Sequence, residues 1–475
     1  MNQLRRPIEF VKDRLGFETL IKPLDHNAPP ETTEGKSQWA YIFGFGILFS
    51  FLLQITTGIV LATNYVPSPE SAYQSVEFIT YEVRFGDTIR AMHWIGASAM
   101  VILVLIHAMR VFLTASYKYP REFNWISGVV LLYLTFGMAL SGQLLRWDQD
   151  GVWTVMVAAN FAGRVPFVGE HIAQFVLAGE TVSGSTLTQT YALHVFILPI
   201  AMVLLIGLHL FLVTYHGISE LPKAGKPVNP ETYRQEYEEY VEKHQRPYWP
   251  QGIWNELFFG GLVVTIIVSL AFFLGPRDLA ASPDLTDLDS QPQPDWFIVW
   301  YYALISIKPQ GYEEVFLVYL PLGFFLFLLI LPLIAGKGER HPSKRPFAIL
   351  GLSVVAGLFI MLTVVGLRAP WVPAYDTEPL QAEQLGTQDE RILEGARVFH
   401  ERGCQYCHQV HGVGGDWGPD LTEVSTRMGP EQIAVRTVQG IGNMPAYQDI
   451  LTTEEVDLLV EFLTEVDELG PRARE

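Results

Sequence analysis

Two cysteines and a histidine lie within five residues near the carboxyl end of this 475-residue chain. Cys404 and Cys407 are separated by two residues, and His408 follows the second cysteine directly. This spacing is typical of c-type haem attachment, in which both sulfurs form thioethers and the imidazole supplies one axial iron ligand. A structural zinc site would need two further Cys or His ligands at finger spacing, and the chain has only 2 cysteines. We therefore predict a covalent haem at this motif.

Four further histidines lie inside long apolar segments, where ionisable side chains are costly and usually functional. The interval from His93 to His107 is one position shorter than that from His194 to His209. On an α-helix both intervals take about four turns and separate the two rings by about 21 Å along the axis. His107 then points within about 40° of the direction of His93, and His209 within about 60° of the direction of His194. One intervening span makes the two helices parallel, so that His93 faces His194 and His107 faces His209. Each pair could hold one haem iron through two imidazole nitrogens.

Glycines recur at a matching interval on the two neighbouring apolar segments. Gly44 and Gly58 have the same spacing as His93 and His107, and so do Gly128 and Gly142. A residue without a Cβ atom lets a flat macrocycle approach the backbone. Close helix packing through small residues is the alternative explanation, but the shared interval favours haem binding. Two arginines, each three residues from one of the histidines, could pair with haem propionates: Arg90 and Arg110.

The elements that must position these side chains follow from hydropathy. The chain is 49% hydrophobic, and its mean hydropathy is +0.22. A bilayer core of about 30 Å needs roughly 20 apolar residues per helix. Seven segments meet this requirement, which predicts an all-α fold: a seven-helix transmembrane bundle followed by a small all-α domain that carries the cysteine motif. The predicted spans are Trp39–Ala62, Met92–Leu113, Trp125–Leu145, Tyr191–Tyr215, Ile253–Leu274, Val315–Ala335 and Phe347–Leu367.

Charged residues predict the orientation of the bundle. Lysine and arginine cluster in the amino-terminal arm and in alternate loops, which the positive-inside rule places in the cytoplasm. Seven crossings then leave the carboxyl-terminal domain on the outer, periplasmic side of a bacterial cytoplasmic membrane. We see no removable signal peptide, and the net charge of −18 gives no indication of nucleic-acid binding. The basic loops are Arg110–Arg121, Lys223–Arg246 and Lys337–Arg345, and the most acidic opposite loop is Asp278–Asp295.

Together these motifs resemble the cytochrome b subunit of cytochrome bc complexes, and several resemble its chloroplast-type, split version. The region from Pro247 to about Leu367 resembles the three-helix subunit IV of that version. The resemblance implies a four-helix core with two non-covalent b-type haems, three further helices, and a homodimeric complex. The chloroplast type also carries a haem tethered by a first-helix cysteine, which we expect to be missing here. The resembling stretches are Arg90–Ser98, His107–Arg110, Trp147–Gln149, Ser185–Thr188 and His209–Ser219.

The quinol-oxidation loop of the family usually reads Pro-Glu-Trp-Tyr, and here it reads Pro294-Asp295-Trp296-Phe297. The resemblance implies that Asp295 accepts a proton from quinol, because an aspartate keeps a carboxylate, although on a shorter arm. The apolar run Trp296–Ile305 is too short to span a bilayer. It is either a segment that lines an outer-side pocket or an ordinary loop anchor.

The region around the cysteine motif resembles a small class I cytochrome c. Gly418–Leu421 and Gly442–Ala446 are similar to later loops of that domain. We predict Met444 as the sixth iron ligand, since thioether ligation raises the potential, with Met428 and His411 as alternatives. Glu454–Leu463 is expected to form the closing helix. His216 is a candidate proton relay at the inner quinone site, and Lys22, Asp25 and His26 are weaker candidates. The remaining histidines are expected mostly at the surface: His26, His171, His216, His244, His341 and His400.

These features predict a fused cytochrome b and cytochrome c, a subunit of a quinol–cytochrome c oxidoreductase. The resemblance implies a separate Rieske iron–sulfur protein, the quinone pool, membrane lipid, and a cytochrome c or terminal oxidase as partners. The alternative is a dihaem membrane anchor that conducts electrons for a dehydrogenase, against which the quinol loop argues. The expected segments are a cytoplasmic arm (1–36), the dihaem core (37–222), a cytoplasmic linker (223–246), the subunit-IV-like region (247–368), a second linker (369–388) and the cytochrome c domain (389–475).

Overall fold

The computed structural model of the chain describes residues 14, 42–244, 253–284, 292–307, 312, 314–368, 377–415, 418–440, 444, 446–448 and 450–468. The chain divides into two compact units. The first, called the bundle below, comprises Met1–Asp284, Pro294–Ile305 and Glu314–Val364; the second, called the small domain, comprises Leu285–Gln293, Ser306–Glu313 and Val365–Glu475.

Among the described residues, the bundle consists of helices, seven of which are long and apolar enough to cross a membrane. Each predicted span overlaps one of these seven helices, which confirms the predicted all-α membrane fold. In chain order the helices are α1 (Phe43–Ala62), α2 (Ala72–Tyr81), α3 (Gly86–Leu113), α4 (Glu122–Leu144), α5 (Gln149–Gly163), α6 (Gly169–Leu177), α7 (Gly184–His216), α8 (Tyr233–His244), α9 (Ile253–Leu274), α10 (Trp296–Ser306), α11 (Val315–Ile334), a 3₁₀ turn (Pro342–Lys344) and α12 (Pro346–Gly366).

The helices of the bundle pack through small apolar clusters rather than one large core. Helix α1 packs along α3, and α9 packs on both. Phe51, Met100 and Met202 form a buried cluster that joins α1, α3 and α7. Many large apolar side chains on these helices remain exposed, such as Phe272 at 72%. A helix that is apolar on all sides is expected where lipid replaces water.

The short apolar run after Asp295 forms α10, which has 11 residues. At 1.5 Å per residue a helix of this length spans about 16 Å, far less than the roughly 30 Å of a bilayer core. Its buried residues include Phe297 and Val299. Helix α10 therefore packs as a buried segment of the bundle and does not cross the membrane.

The small domain is built from short helices around one core. Gly395 marks a close crossing of two helices, since a Cβ atom at this position would clash with the carbonyl oxygen of Leu458. Phe399 and Phe462 pack at the same crossing, with ring centroids 5.7 Å apart. Its elements are α13 (Ala382–Leu385), α14 (Glu390–Glu401), α15 (Cys404–Cys407), β1 (Gln409–Val410), β2 (Val413–Gly414), α16 (Val424–Arg427), α17 (Pro430–Gln439) and α18 (Thr453–Glu465).

Candidate haem and quinol sites

The first histidine pair of the bundle meets across α3 and α7. The imidazole centroids of His93 and His194 lie 6.3 Å apart, with ring planes at 72°. Two metal–nitrogen bonds of about 2.0 Å, together with the radii of two imidazole rings, span roughly this length. The pair therefore fits one iron held between two imidazoles.

A π-helical turn explains how His194 and His209 serve one face of α7 despite the longer interval between them. His194 lies in the π turn Leu193–Ile197, and the Leu198 amide donates to the Leu193 carbonyl five residues before it. A π turn inserts one extra residue into an α-helix and is common at functional sites. The longer interval on α7 is thereby equivalent to the interval between the two histidines of α3. On a regular α-helix the same interval would leave the directions of His194 and His209 about 60° apart.

Each of the four predicted glycines lies against one of the four histidines. A Cβ atom at Gly142 would lie 2.8 Å from Cε1 of His194, closer than any side chain tolerates without movement. Gly142 thus holds space for the imidazole ring itself, in addition to any macrocycle beside it. The other three distances from the added Cβ to Cε1 are 3.3 Å for Gly58 and His93, 3.4 Å for Gly128 and His209, and 3.8 Å for Gly44 and His107.

Hydroxyl groups, which the sequence analysis missed, contact three of the four imidazoles. The Nδ1 atom of His93 lies 2.9 Å from Thr57 Oγ1. His209 Nδ1 is 2.9 Å from Ser127 Oγ, and His194 Nδ1 is 2.9 Å from Ser141 Oγ. In each case the hydroxyl residue directly precedes one of the glycines. The Ser/Thr-Gly dipeptides were the sequence signal that could have revealed them.

The two arginines predicted to pair with propionates lie on α3, near its two ends. Arg90 donates to Thr80 Oγ1 at 2.9 Å and also to the carbonyl oxygen of Arg277. Its guanidinium is therefore already engaged by the protein at the start of the helix. Arg110 lies in the last turn of α3.

The predicted proton acceptor, Asp295, is buried at the start of α10 and forms an ion pair with Arg277. Arg277 also bonds Asp150 at 2.9 Å, and Asp150 lies in the first turn of α5. Burial lowers the pKa of Arg277, and the charge of nearby Arg146 lowers it further. An opposite charge this close favours the ionised form of a carboxyl group. Arg277, which directly precedes the acidic loop Asp278–Asp295, was not among the predicted site residues.

The other residues of the predicted quinol loop are also anchored in the bundle. Pro294 and Phe297 are buried, and the Phe297 ring lies 6.4 Å from that of Phe136. Trp296 donates from Nε1 to Ser98 Oγ at 3.1 Å, which ties the start of α10 to α3. The loop thus holds one buried carboxylate directly before two aromatic residues that are anchored in the bundle.

In the small domain, the position of His408 fits an axial ligand. Its Nδ1 lies 2.7 Å from the carbonyl oxygen of Pro419. A carbonyl only accepts, so Nδ1 carries the proton and the Nε2 lone pair stays available for a metal. A Cβ atom at Gly418 would clash with the His408 ring, so glycine leaves room for the imidazole. Burial lowers the pKa of His408.

Both cysteines of the motif are free thiols at the two ends of α15. Burial raises the pKa of Cys404 to about 12 and also raises that of Cys407. Neither sulfur is therefore a thiolate, and among the described residues no group of three or more His, Cys, Asp or Glu could hold a metal ion. The thiols fit covalent attachment of a porphyrin better than a thiolate metal site.

The candidates for the sixth ligand differ in their surroundings. Met444 is half-buried. Met428 packs against the core of the small domain. His411 Nε2 bonds the carbonyl oxygen of Val466 at 3.0 Å, so this nitrogen is protonated and unavailable. Met444 stays a prediction that these contacts favour.

One of the remaining histidines differs from the surface position expected for it. His216 is buried at the end of α7, and its Nε2 lies 2.8 Å from the Arg14 carbonyl oxygen. His171 is exposed, as expected, and His341 and His400 are partly buried. Lys22, Asp25 and His26 lie outside the described residues, and so does the side chain of His244.

A membrane bundle with paired histidines, joined to a domain with a Cys-x-x-Cys-His motif, defines a multi-span cytochrome with a c-type extension. The family described as Cytochrome b/b6/petB matches residues 31–217. Cytochrome b6 of Heliobacterium mobile is 41% identical over 180 residues, which cover 38% of this chain and 84% of that protein. The chain therefore belongs to the cytochrome b/b6 family.

Further comparisons extend this assignment. The family described as cbb3-type cytochrome C oxidase subunit III matches residues 390–463. The menaquinol:cytochrome c reductase cytochrome b subunit of Geobacillus thermodenitrificans is 35% identical, over 46% of this chain and 98% of that protein. A solved structure, a hyperthermophilic respiratory Complex III, shares the fold with a TM-score of 0.59 at 24% identity, over 76% of this chain and 92% of that chain. The chain thus combines a cytochrome b and a cytochrome c domain.

Proposed function

We propose that this chain is the fused cytochrome b and c subunit of a bc-type quinol–cytochrome c oxidoreductase. The observation that carries the proposal is the pair His93 and His194, which face each other across the width of one iron in a bundle that also buries the Asp295 loop. A dihaem conduit would need the histidines but not this loop. The relative named menaquinol:cytochrome c reductase supports a quinol substrate.

The histidines would hold the cofactors. His93 with His194 and His107 with His209 would each bind one b-type haem, and His408 with Met444 would bind the covalent c-type haem at Cys404 and Cys407. When bound, each of these haems would carry single electrons. The two b-type haems would conduct them across the membrane, and the c-type haem would pass them outward to the acceptor. Gly142 leaves room for the His194 imidazole, and Gly58, Gly44 and Gly128 would let the macrocycles approach the backbone.

Asp295 would take up a proton from quinol in the buried loop. As a carboxylate it can accept a hydrogen bond from a quinol hydroxyl and then the proton. Arg277 holds Asp295 in its ionised form beforehand, because the two charges attract each other where water is scarce. Trp296 and Phe297 would shape the apolar walls for the quinol ring.

Electron bifurcation from quinol requires a second acceptor beside the b haems. A separate Rieske iron–sulfur protein would receive that electron, and the c-type domain would pass it to a soluble or membrane cytochrome c or a terminal oxidase. The charge distribution supports a cytoplasmic amino terminus and a periplasmic small domain in a bacterial cytoplasmic membrane. A homodimeric complex is part of the same proposal.

Two measurements on the purified complex test the proposal. Pyridine haemochrome spectra should give two b-type haems for each c-type haem, and electron paramagnetic resonance should detect a Rieske signal. Asp295→Asn should slow quinol-dependent cytochrome c reduction by about 100-fold or more, the usual order for loss of a general base, with every haem still bound. Asp278→Asn, an exposed carboxylate near Arg277, is the matched control and should retain activity. Unchanged turnover of Asp295→Asn would remove that residue from the mechanism.

A further inference from the structure

Three hydroxyl groups of the described residues contact histidines of the bundle, each at Nδ1, which leaves Nε2 available for iron. They belong to Thr57 on α1 and to Ser127 and Ser141 on α4. All three distances to Nδ1 are 2.9 Å.

The other hydrogen bond of each hydroxyl shows whether the hydroxyl or the histidine Nδ1 donates in the contact between them. A hydroxyl has one proton to donate and two lone pairs. Thr57 Oγ1 donates to the Leu53 carbonyl at 2.7 Å, and Ser141 Oγ donates to the Gly137 carbonyl at 2.8 Å. Ser127 Oγ does the same to the Asn124 carbonyl at 3.0 Å. Since each hydroxyl proton is engaged by the helix backbone, each oxygen must accept from an Nδ1–H group.

The fourth position lacks such a group. Thr57, Ser127 and Ser141 directly precede Gly58, Gly128 and Gly142, but the residue before Gly44 is Phe43. A phenyl ring offers no oxygen, and its edge packs on Phe259 with centroids 5.7 Å apart. Helix α1 therefore supplies a hydroxyl to His93 and none at the matching position beside His107.

We propose that Thr57, Ser127 and Ser141 are positioning residues that place the proton of His93, His209 and His194 on Nδ1 and thereby lower the potentials of the two b-type haems. An imidazole that donates from Nδ1 becomes more electron-rich at Nε2, and such outer contacts orient metal-bound histidines and raise their basicity. A more basic ligand stabilises ferric over ferrous iron, and hydrogen bonding around the ligands is one means by which proteins tune haem.

The two sites differ in the number of these contacts. Both imidazoles of the His93/His194 pair are supported by a hydroxyl, whereas in the His107/His209 pair the described part of the chain supplies one only to His209. The half-reaction is one-electron reduction of ferric to ferrous iron, with no bond formed or broken at the hydroxyls. The inference rests on the proposed haem sites and does not depend on the quinol chemistry.

Potentiometric titration of the two b-type absorbance waves in the purified complex tests the proposal. Ser141→Ala and Thr57→Val should each shift one wave to a more positive midpoint, and the double variant should shift it further. Ser127→Ala should shift the other wave. Ser141→Thr keeps a hydroxyl and should retain the midpoint of the unmodified complex.

Ser50→Ala is the matched control, because Ser50 is also a buried helix serine, and its hydroxyl bonds the backbone carbonyl of Gly46 at 2.9 Å. If Ser141→Ala, Thr57→Val and Ser127→Ala all leave the midpoints where Ser50→Ala leaves them, the proposal is wrong. If Ser141→Ala fails to assemble, Thr57→Val and Ser127→Ala still decide it, one for each site. Fewer than two b-type waves in the unmodified complex would contradict the proposed haem sites themselves, a result separate from unchanged midpoints.

Phe43→Ser provides a test by gain of a contact. The new serine would directly precede Gly44, as Ser141 directly precedes Gly142, and could accept from Nδ1 of His107. The midpoint of the His107/His209 haem, the one that Ser127→Ala shifts, should then become more negative. A shift of either wave in the positive direction would contradict the proposal. Phe43→Leu controls for the lost ring contact with Phe259 and should leave both waves in place.

Discussion

The bundle and the small domain support their candidate haem-ligand histidines in different ways. In the bundle, His93 and Thr57 are 36 residues apart in sequence, and His194 and Ser141 are 53 apart. In the small domain, His408 and the Pro419 carbonyl are 11 apart. The bundle sites are assembled from side chains of separate helices, whereas the small-domain site comes from one stretch of chain. A bundle site therefore depends on helix packing, and its supporting contacts can be changed by mutation, unlike a backbone carbonyl.

Ligand removal should give the largest effect and separate the two regions. His194→Leu leaves one imidazole for one iron, so we expect the b-type content to fall by half or more, with the c-type haem retained. Cys407→Ala removes a thioether, and we expect the covalent haem to be lost with both b-type haems retained. Pyridine haemochrome spectra of the purified variants measure both ratios.

His171→Leu is the control for the histidine variant, because His171 is exposed and should not affect haem content. If His194→Leu kept two b-type haems per chain, the pairing of His194 with His93 would be wrong. If Cys407→Ala also removed the b-type haems, the two regions would not assemble independently, and the comparison between them would fail.

Glycine substitutions should have a smaller effect and distinguish the two reasons for a glycine beside a haem. A Cβ at Gly142 would lie 2.8 Å from His194, and one at Gly44 would lie 3.8 Å from His107, an ordinary contact. If the imidazole alone requires the space, Gly142→Ala lowers b-type haem content and Gly44→Ala does not. Loss of haem in both variants would instead show that the macrocycle needs the glycine. Haemochrome spectra of the two variants decide between these outcomes.

Much of the bundle could be predicted from the sequence because apolar length and the helical period determine where a membrane helix lies and which face it presents. The seven spans and the interval that Gly44 and Gly58 share with His93 and His107 follow from such regularities. The π turn at Leu193–Ile197 breaks the period, so the interval between His194 and His209 could not be converted into a direction from sequence alone.

The ion pair between Arg277 and Asp295 was unpredictable for a different reason. Arg277 and Asp295 both lie outside helices and strands, where no period relates sequence spacing to distance. Asp150, which completes the contact with Arg277 at 2.9 Å, comes from the start of α5, much earlier in the chain. Only the folded chain brings these three charges together.

The smallest expected effect is a change in stability caused by removing a surface charge of the small domain. This surface ion pair contrasts with the pair of Asp295 and Arg277 in the bundle. Glu455 accepts from the Thr452 amide at 2.8 Å and pairs with Arg402 at 2.6 Å at the start of α18. The hydrogen bond from the Thr452 amide, followed by Arg402, holds the pKa of Glu455 below its ordinary value of 4.5. A carboxyl group with a lowered pKa stabilises the fold above that ordinary value, and the contribution is lost as the pH falls through the folded-state pKa.

Glu455→Gln should therefore weaken α18 at pH 7 by about 0.5 kcal/mol, the usual size for a solvent-screened pair, and by less in acid. Amide hydrogen exchange across α18, corrected for the intrinsic rate at each pH, measures this difference in the intact complex. Glu454→Gln, the neighbouring first-turn acid, removes the same charge without the Thr452 and Arg402 contacts and should have a smaller effect. Equal effects of both variants would mean that the general attraction of acids to a helix amino terminus accounts for the stabilisation. The specific contacts of Glu455 would then contribute nothing measurable, as is common for exposed ion pairs but not expected for the buried contact of Arg277.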